Sequence, residues 1–271
     1  MACAPHARSC RLLGSMPLAE PDQPARVRDL LGPAPLGLPV LAVTGLAKEG
    51  RLASGPGVEA VGAGGNPARL AALLARRTEA GCRAVVSIGI AGGLDPDLVP
   101  GDVVVATGVV TGDTRYAADP AVAEALRTRL DRPGLAVRSG DLAGVDAAVM
   151  TLDGKADLWA RSQAAAVDME SHVAAAFAAR HGLPFAAIRV VCDPAHRALP
   201  AFAAQALKPN GEPDILAVLM ALARGDARLG GLVRLARDSK AAFAALTRCR
   251  ALLGPGLGIP LPQAEQLPEA A

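Results

Sequence analysis

Short apolar runs recur between residues 38 and 191, each stopped by glycine or a small polar cluster. Leu38-Pro39-Val40-Leu41-Ala42-Val43-Thr44 ends at Gly45. Ala84-Val85-Val86-Ser87-Ile88-Gly89 runs into Ile90-Ala91-Gly92-Gly93, and the run 184–191 stops just before Asp193. Runs of this length without polar alternation predict strands buried on both faces, as in the centre of a parallel sheet. Residues 58–61 predict a weaker strand, 103–106 with 109–110 another, and 135–137 a further one entering Arg138-Ser139-Gly140-Asp141.

Between the runs the apolar period changes to that of a helix. Asn66 as cap and Pro67 at the first helical position open a helix with Leu70, Leu73 and Leu74 on one face. A short helix follows at 120–130. Another starts at Ser171, with Val173, Ala176, Phe177 and Arg180 at helical spacing, and ends at Gly182. Residues 199–207, 214–223 and a longer basic-apolar segment at 226–252 also read as helical. The stretch 144–164 reads as irregular, apart from one or two turns between 155 and 161. Residues 46–51 read as a solvated turn, although open parallel sheets bind ligands at such strand ends.

This intermixing predicts an α/β fold: a single domain with a central mixed, mostly parallel sheet flanked by helices. Residues 1–37, rich in Pro, Ala and Arg without a period, read as a poorly ordered N-terminal extension, with a translation start near Met16 as the alternative. The domain is placed at 38–252, and the Pro-rich 253–271 as a loose C-terminal tail.

Composition narrows the function. Hydrophobic residues make up 51% of the 271 but aromatic ones only 2%, so Ala, Val and Leu must fill the core and few rings remain to stack on a ligand. A net charge of +2 gives no case for nucleic-acid binding. The 5 cysteines, at 3, 10, 82, 192 and 249, are odd in number and lack metal spacing. They predict a reduced, cytoplasmic setting and no metal. No apolar run reaches the length of a membrane span, and residues 1–16 lack the continuous apolar segment of a secretory signal. Gly62-Ala63-Gly64-Gly65-Asn66-Pro67 is not a dinucleotide fingerprint, because Pro67 stands where the third glycine belongs.

Two acidic turns close neighbouring strands: Val167-Asp168-Met169-Glu170 and Arg189-Val190-Val191-Cys192-Asp193. Together with Ser87-Ile88-Gly89-Ile90-Ala91-Gly92-Gly93-Leu94 and Pro100-Gly101-Asp102-Val103-Val104-Val105, in this order, they resemble the motifs of the nucleoside phosphorylase/nucleosidase superfamily. The nearest pattern is the methylthioadenosine/S-adenosylhomocysteine nucleosidase branch. Leu207-Lys208-Pro209-Asn210-Gly211-Glu212-Pro213-Asp214 and the basic-apolar segment after it look most like hopanoid-associated phosphorylases.

The resemblance implies cleavage of the N-glycosidic bond of an adenosine-type nucleoside. The implied substrate is adenosylhopane in hopanoid side-chain synthesis, or alternatively methylthioadenosine or S-adenosylhomocysteine in salvage. Asp193 becomes the general acid for purine N7, a task that needs a carboxyl pKa raised by burial. Glu170 becomes the acceptor for the ribose 2′- and 3′-hydroxyls, with Met169 packing on the sugar or base. Ile90, Ala91, Gly92 and Cys192 complete the substrate-contacting set.

Departures from the family pattern leave the nucleophile open. Ser87 and Ile90 stand where phosphorolytic relatives carry Arg and Ser, so Gly45 and Arg51 are the candidates for gripping phosphate. Glu49 is the candidate for orienting water, one position off the corresponding glutamate of hydrolytic relatives. Leu142 and Ala143 stand near where relatives place a stacking Phe, which leaves aliphatic side chains or Phe202 for the base. Asp168 is expected to point away from the site, and His172 to be a packed or capping residue. No cofactor is implied beyond inorganic phosphate as an open co-substrate. The expected partners are a small or lipid-linked nucleoside, the inner membrane face through the basic 226–252 segment, and further copies of the chain.

Overall fold

The structure, a computed structural model, describes residues 37–77, 81–199 and 229–259. The predicted helices at 199–207 and 214–223, Phe202 and the 207–214 motif lie outside the described residues, apart from Leu199. Eight strands form one mixed sheet: β1 (Val40–Thr44), β2 (Val58–Gly62), β3 (Ala84–Gly93), β4 (Val103–Thr111), β5 (Thr114–Ala117), β6 (Val137–Gly144), β7 (Ala166–Asp168) and β8 (Phe185–Asp193). The described helices are α1 (Ala47–Ala53), α2 (Pro67–Ala75), α3 (Pro120–Leu130), α4 (Leu152–Ser162), α5 (Ser171–Arg180) and α6 (Leu229–Leu253).

Strand β8, last in the sequence, lies at the middle of the sheet. It pairs parallel with β3 and antiparallel with β4. β4 pairs parallel with β6, β6 parallel with β7, and β7 antiparallel with β3, so five strands close into a ring. β1 and β2 extend the parallel side, and β5 folds back on β4 as a hairpin. Every residue of β8 is buried, which explains a run that is apolar but for Arg189 and the terminal Asp193.

Alternate residues of the central strands feed two apolar layers, as a period of two requires. Ala84, Val86 and Ile88 of β3 and Ala186, Ile188 and Val190 of β8 join one layer, completed by α3 and α6. Val85, Ala91, Ala187 and Val191 join the other, under α2 and α5. In α5 the fully buried stripe is Ala174, Ala175 and Ala178. These small side chains let the helix approach the sheet closely, and they displace the predicted face of Val173, Ala176 and Phe177 to its margin. The solvated turn predicted at 46–51 is instead the start of α1, because Glu49 folds back to hold its first turn.

Helix α6 packs Ala242, Leu246, Cys249 and Leu253 into the first layer at steps of three and four residues. The chain then turns through Pro255–Gly258, with Leu257 and Ile259 buried in the same layer, so the packed chain continues past the predicted boundary at 252 to at least Ile259. None of the described helices is long and apolar enough to cross a membrane. If α6 is a core element, Leu246→Ala should cost about 2–5 kcal/mol in denaturant unfolding, the range for emptying a buried leucine site. An unchanged transition midpoint would mean that its apolar face serves something other than the core.

Candidate active site

The ends of β1, β3, β7 and β8 converge on a cavity of about 230 Å3. Gly45, Glu49, Ile90, Ala91, Gly92, Met169, Glu170, Cys192 and Asp193 all line it, with Val145, Val149, Val167 and Leu199 as its aliphatic walls. The register brings β3 and β8 together here. A bulge between Ala91 and Gly92 sets Gly92 opposite Asp193, where a side chain on Gly92 would meet the carboxylate.

The centre of the site is Arg189, fully buried in β8. Its Nε donates to Asp168 at 3.0 Å, and its Nη2 donates to Ser87 Oγ at 2.6 Å and to Asp168 at 3.2 Å. Ser171 Oγ accepts from the same guanidinium and lies 3.1 Å from Ser87 Oγ. Burial works against the charge, but Asp168, Glu170 and Glu49 outweigh it and hold Arg189 cationic. Arg189 stands beside Gly89 in the parallel register, and a side chain there would collide with both Arg189 Nη1 and Glu49 Oε1. The glycine thus makes room for an opposed charge pair.

Asp168 does not point away. One of its oxygens accepts from the backbone amides of Glu170 (2.8 Å) and Ser171 (2.6 Å), capping α5, while the carboxylate also holds Arg189. The strand is only three residues long, and the chain bends into the helix immediately after Asp168, so strand alternation does not apply. The bend sends Glu170 toward the cavity, with Arg189 Nη2 at 3.6 Å. Burial pushes the Glu170 carboxyl up to about 8; Arg189 pulls it down, while Asp168 and Glu49 raise it further.

Glu49 comes from α1. Its Oε2 accepts from the amides of Gly45 (2.9 Å) and Leu46 (2.7 Å), and its Oε1 accepts from Ile90 N across the cavity at 2.7 Å. Burial raises its pKa against the opposing pull of Arg189 and these three amides. Counting along the chain set Glu49 one position off; the early start of α1 brings it into the site.

Gly45 and Arg51, the candidates for gripping phosphate, are not brought together at the cavity. The Gly45 amide is taken by Glu49, and a side chain at Gly45 would strike Glu170. Arg51, two residues beyond the buried Glu49 on a helix, falls on the exposed side of α1 and is absent from the cavity lining. Among the described residues no cluster of three or more His, Cys, Asp or Glu is arranged to hold a metal ion.

Asp193 is held by Lys155 of α4, whose Nζ lies 2.5 Å from Asp193 Oδ2. Burial raises the Asp193 pKa, and Lys155 lowers it. Cys192, beside it, is a thiol pushed up to about 11 by burial, 3.4 Å from Ser239 of α6. His172 packs at the start of α5 with its Nε2 3.1 Å from Asp146. It lines a separate groove of about 730 Å3 between α2 and α5, with Asp146 but with none of Glu49, Asp168, Glu170 and Asp193.

Sequence reading missed Arg189, Ser87, Ser171 and Lys155 as parts of the site. Arg189 carried a usable signal: an arginine inside an otherwise apolar central strand requires buried acidic partners. Asp168→Ala should therefore cost about 3–5 kcal/mol in denaturant unfolding, the range for stripping one partner from a buried ion pair. A loss below about 1 kcal/mol, the range of exposed pairs, would show that Arg189 does not depend on it.

Comparisons with known proteins bear on the fold and the family. A search of curated proteins finds no match. Among solved structures, a putative methylthioadenosine nucleosidase from Weissella paramesenteroides is 17% identical with a TM-score of 0.58, covering 82% of this chain and 98% of its own. The methylthioadenosine/S-adenosylhomocysteine nucleosidase of Campylobacter jejuni is 13% identical at 0.56, covering 79% and 98%. S-adenosylhomocysteine nucleosidase of Streptococcus pyogenes, in complex with 5-methylthiotubericidin, is 18% identical at 0.55, covering 80% and 98%. These likenesses establish the fold. The family model described as the Phosphorylase superfamily matches residues 37–212, most of the chain, and the protein therefore belongs to that superfamily as an enzyme of the nucleoside phosphorylase/nucleosidase class.

Proposed function

We propose that the protein hydrolyses the N-glycosidic bond of an adenosine-type nucleoside and releases adenine. The observation that carries this reading is the buried carboxylate of Glu49 on the cavity wall, held near the charge of Arg189. Glu49 Oε1 and Arg189 Nη1, which has no protein acceptor, both lie against Gly89, and Glu49 faces the cavity. A water in the cavity can give its proton to this carboxylate.

A phosphate dianion fits this place poorly. Glu49, Asp168 and Glu170 crowd a single guanidinium, so a further anion meets three acids and one cation. The same excess of carboxylate suits the cationic sugar of the transition state. Glu170 takes the ribose hydroxyls, the aliphatic walls take the base, and Asp193 protonates N7. The nucleophile is water, and the chemistry calls for no cofactor.

Methylthioadenosine or S-adenosylhomocysteine is the favoured substrate, supported by the named activities of the structures that share the fold. A lipid-linked nucleoside such as adenosylhopane rests on the 207–214 motif and the basic-apolar segment after it. The apolar face of α6 packs into the core, so a membrane contact of this helix would rest on its basic face.

Adenine release from methylthioadenosine, S-adenosylhomocysteine and adenosylhopane, measured with and without phosphate, tests the proposal. The expected outcome is phosphate-independent release of a free sugar. Strict dependence on phosphate, with a sugar 1-phosphate product, would overturn it. Glu49→Gln should lower kcat by about 10²-fold or more while adenine still binds, the usual contribution of a general base. The pH profile should be bell-shaped. Glu49 must be ionised, so activity rises with pH through its raised pKa, and Asp193 must be protonated, so activity falls through its own. A rising limb at the ordinary carboxylate value would count against Glu49 as the base.

A further inference from the structure

Lys155 occupies an expensive position. It lies in the first turn of α4, where the helix dipole disfavours a cation, and it is 1% exposed. Burying an ammonium costs several kcal/mol unless every proton finds an acceptor. Here each does: Asp193 Oδ2 at 2.5 Å, the Pro194 carbonyl at 2.9 Å and the Asp193 carbonyl at 3.4 Å. Thr151 caps α4 from below, accepting from the Gly154 amide at 3.1 Å and so fixing the turn that carries the lysine.

The three acceptors belong to one short stretch, the end of β8 and the first residue after it. The lysine binds one oxygen of the acid and the backbone on either side of its peptide link to Pro194. Oδ2 thereby carries the ammonium, and Oδ1 takes no part in that contact, on a residue that lines the cavity.

Resting on the reading of Asp193 as the general acid, we infer that Lys155 is a positioning residue that makes this acid one-sided. An ammonium donating to Oδ2 excludes a proton from that oxygen, so the acidic proton sits on Oδ1, toward the base. In the reaction the C1′–N9 bond breaks and its electron pair passes into the purine ring. N7 takes the proton from Asp193 Oδ1, the water oxygen bonds to C1′, and the water proton goes to Glu49. The carboxylate left on Asp193 is then paired with Lys155 rather than stranded in a dry pocket.

Among the described residues, the other charged or titratable groups facing Asp193 are few. Arg197 lowers its pKa and is itself paired with Asp238 of α6; Cys192 stays a neutral thiol; Glu49 and Glu170 line the same cavity. Gly92 of β3 and Val167 of β7, packed against this region, bring no charge.

The test compares the wild type with Lys155→Met and Lys155→Arg on two leaving groups. Methylthioadenosine needs its base protonated. A p-nitrophenyl riboside does not, because nitrophenolate departs as an anion. In Lys155→Met, kcat for methylthioadenosine should fall by about 10²-fold or more, within the range of a lost general-acid contribution, with KM nearly unchanged. The falling limb of the pH profile should move to higher pH, since the cation that lowers the Asp193 pKa is gone. The nitrophenyl substrate should be cleaved as in the wild type, and Lys155→Arg should recover part of the lost kcat.

An unshifted limb, an unchanged kcat or an equal loss on both substrates would each overturn the inference, the last by showing a structural role. If the nitrophenyl riboside proves inert even with the wild type, the pH limb and the kcat-against-KM split still decide. A wild type that releases no adenine from any nucleoside would instead refute the function proposed above.

Discussion

A guanidinium with no exposure to solvent organises this molecule. Arg189 sits in the central strand, where an unpaired charge would be prohibitive, and Asp168 satisfies it from the neighbouring element. The pairing has consequences beyond itself. Asp168 also caps α5, so the strand-to-helix turn that aims Glu170 into the cavity is tied to the same ion pair. Ser87 and Ser171 complete the guanidinium's partners, and Gly89 leaves the space for it. Strand order, helix start and site geometry therefore meet at one side chain.

Around that cation the acids outnumber the base. With Glu49, Asp168 and Glu170 all ionised, the dry end of the sheet would be strongly negative, and the upward displacement of Glu49 and Glu170 expresses that conflict. A pocket in this state favours a ligand that gains positive charge as it reacts. On the proposed reaction that strain is relieved in the transition state rather than in the empty site, which is the condition for catalysis by electrostatic preorganisation. Asp193 lies apart, with its own lysine, so on the same reading the proton for the base is handled separately from the charge that stabilises the sugar.

Much of the fold was legible because it rests on local signals. The runs at 40–44, 84–89 and 184–191 are apolar because those strands are covered on both faces, and Asn66-Pro67 starts α2 by capping chemistry that needs no tertiary context. Asp193, Glu170 and the glycine segment could be placed at strand ends for the same reason. What stayed hidden depends on register. Nothing in the order of residues shows that Arg189 faces Gly89 and Ser87, or that a lysine opening one or two turns in an otherwise irregular stretch reaches Asp193, 38 residues away. The closing of the sheet into a ring, with the last strand at its middle, is likewise a property of pairing that apolar period cannot carry.

Glu49 illustrates a different kind of dependence. The carboxylate that faces Arg189 also binds the amides of Gly45 and Leu46, so it holds the opening turn of its own helix. Drift at this position is therefore constrained twice over: a replacement must keep both the shape of the turn and the chemistry across the cavity. Aspartate is too short to span from α1 to the Ile90 amide while reaching back to Gly45, and glutamine keeps the length while losing the charge. A change of chemistry at this position would have to rebuild the loop between β1 and α1 along with the residue. Loop and glutamate are thus one structural unit: the side chain that faces the cavity is also the clasp that closes the turn.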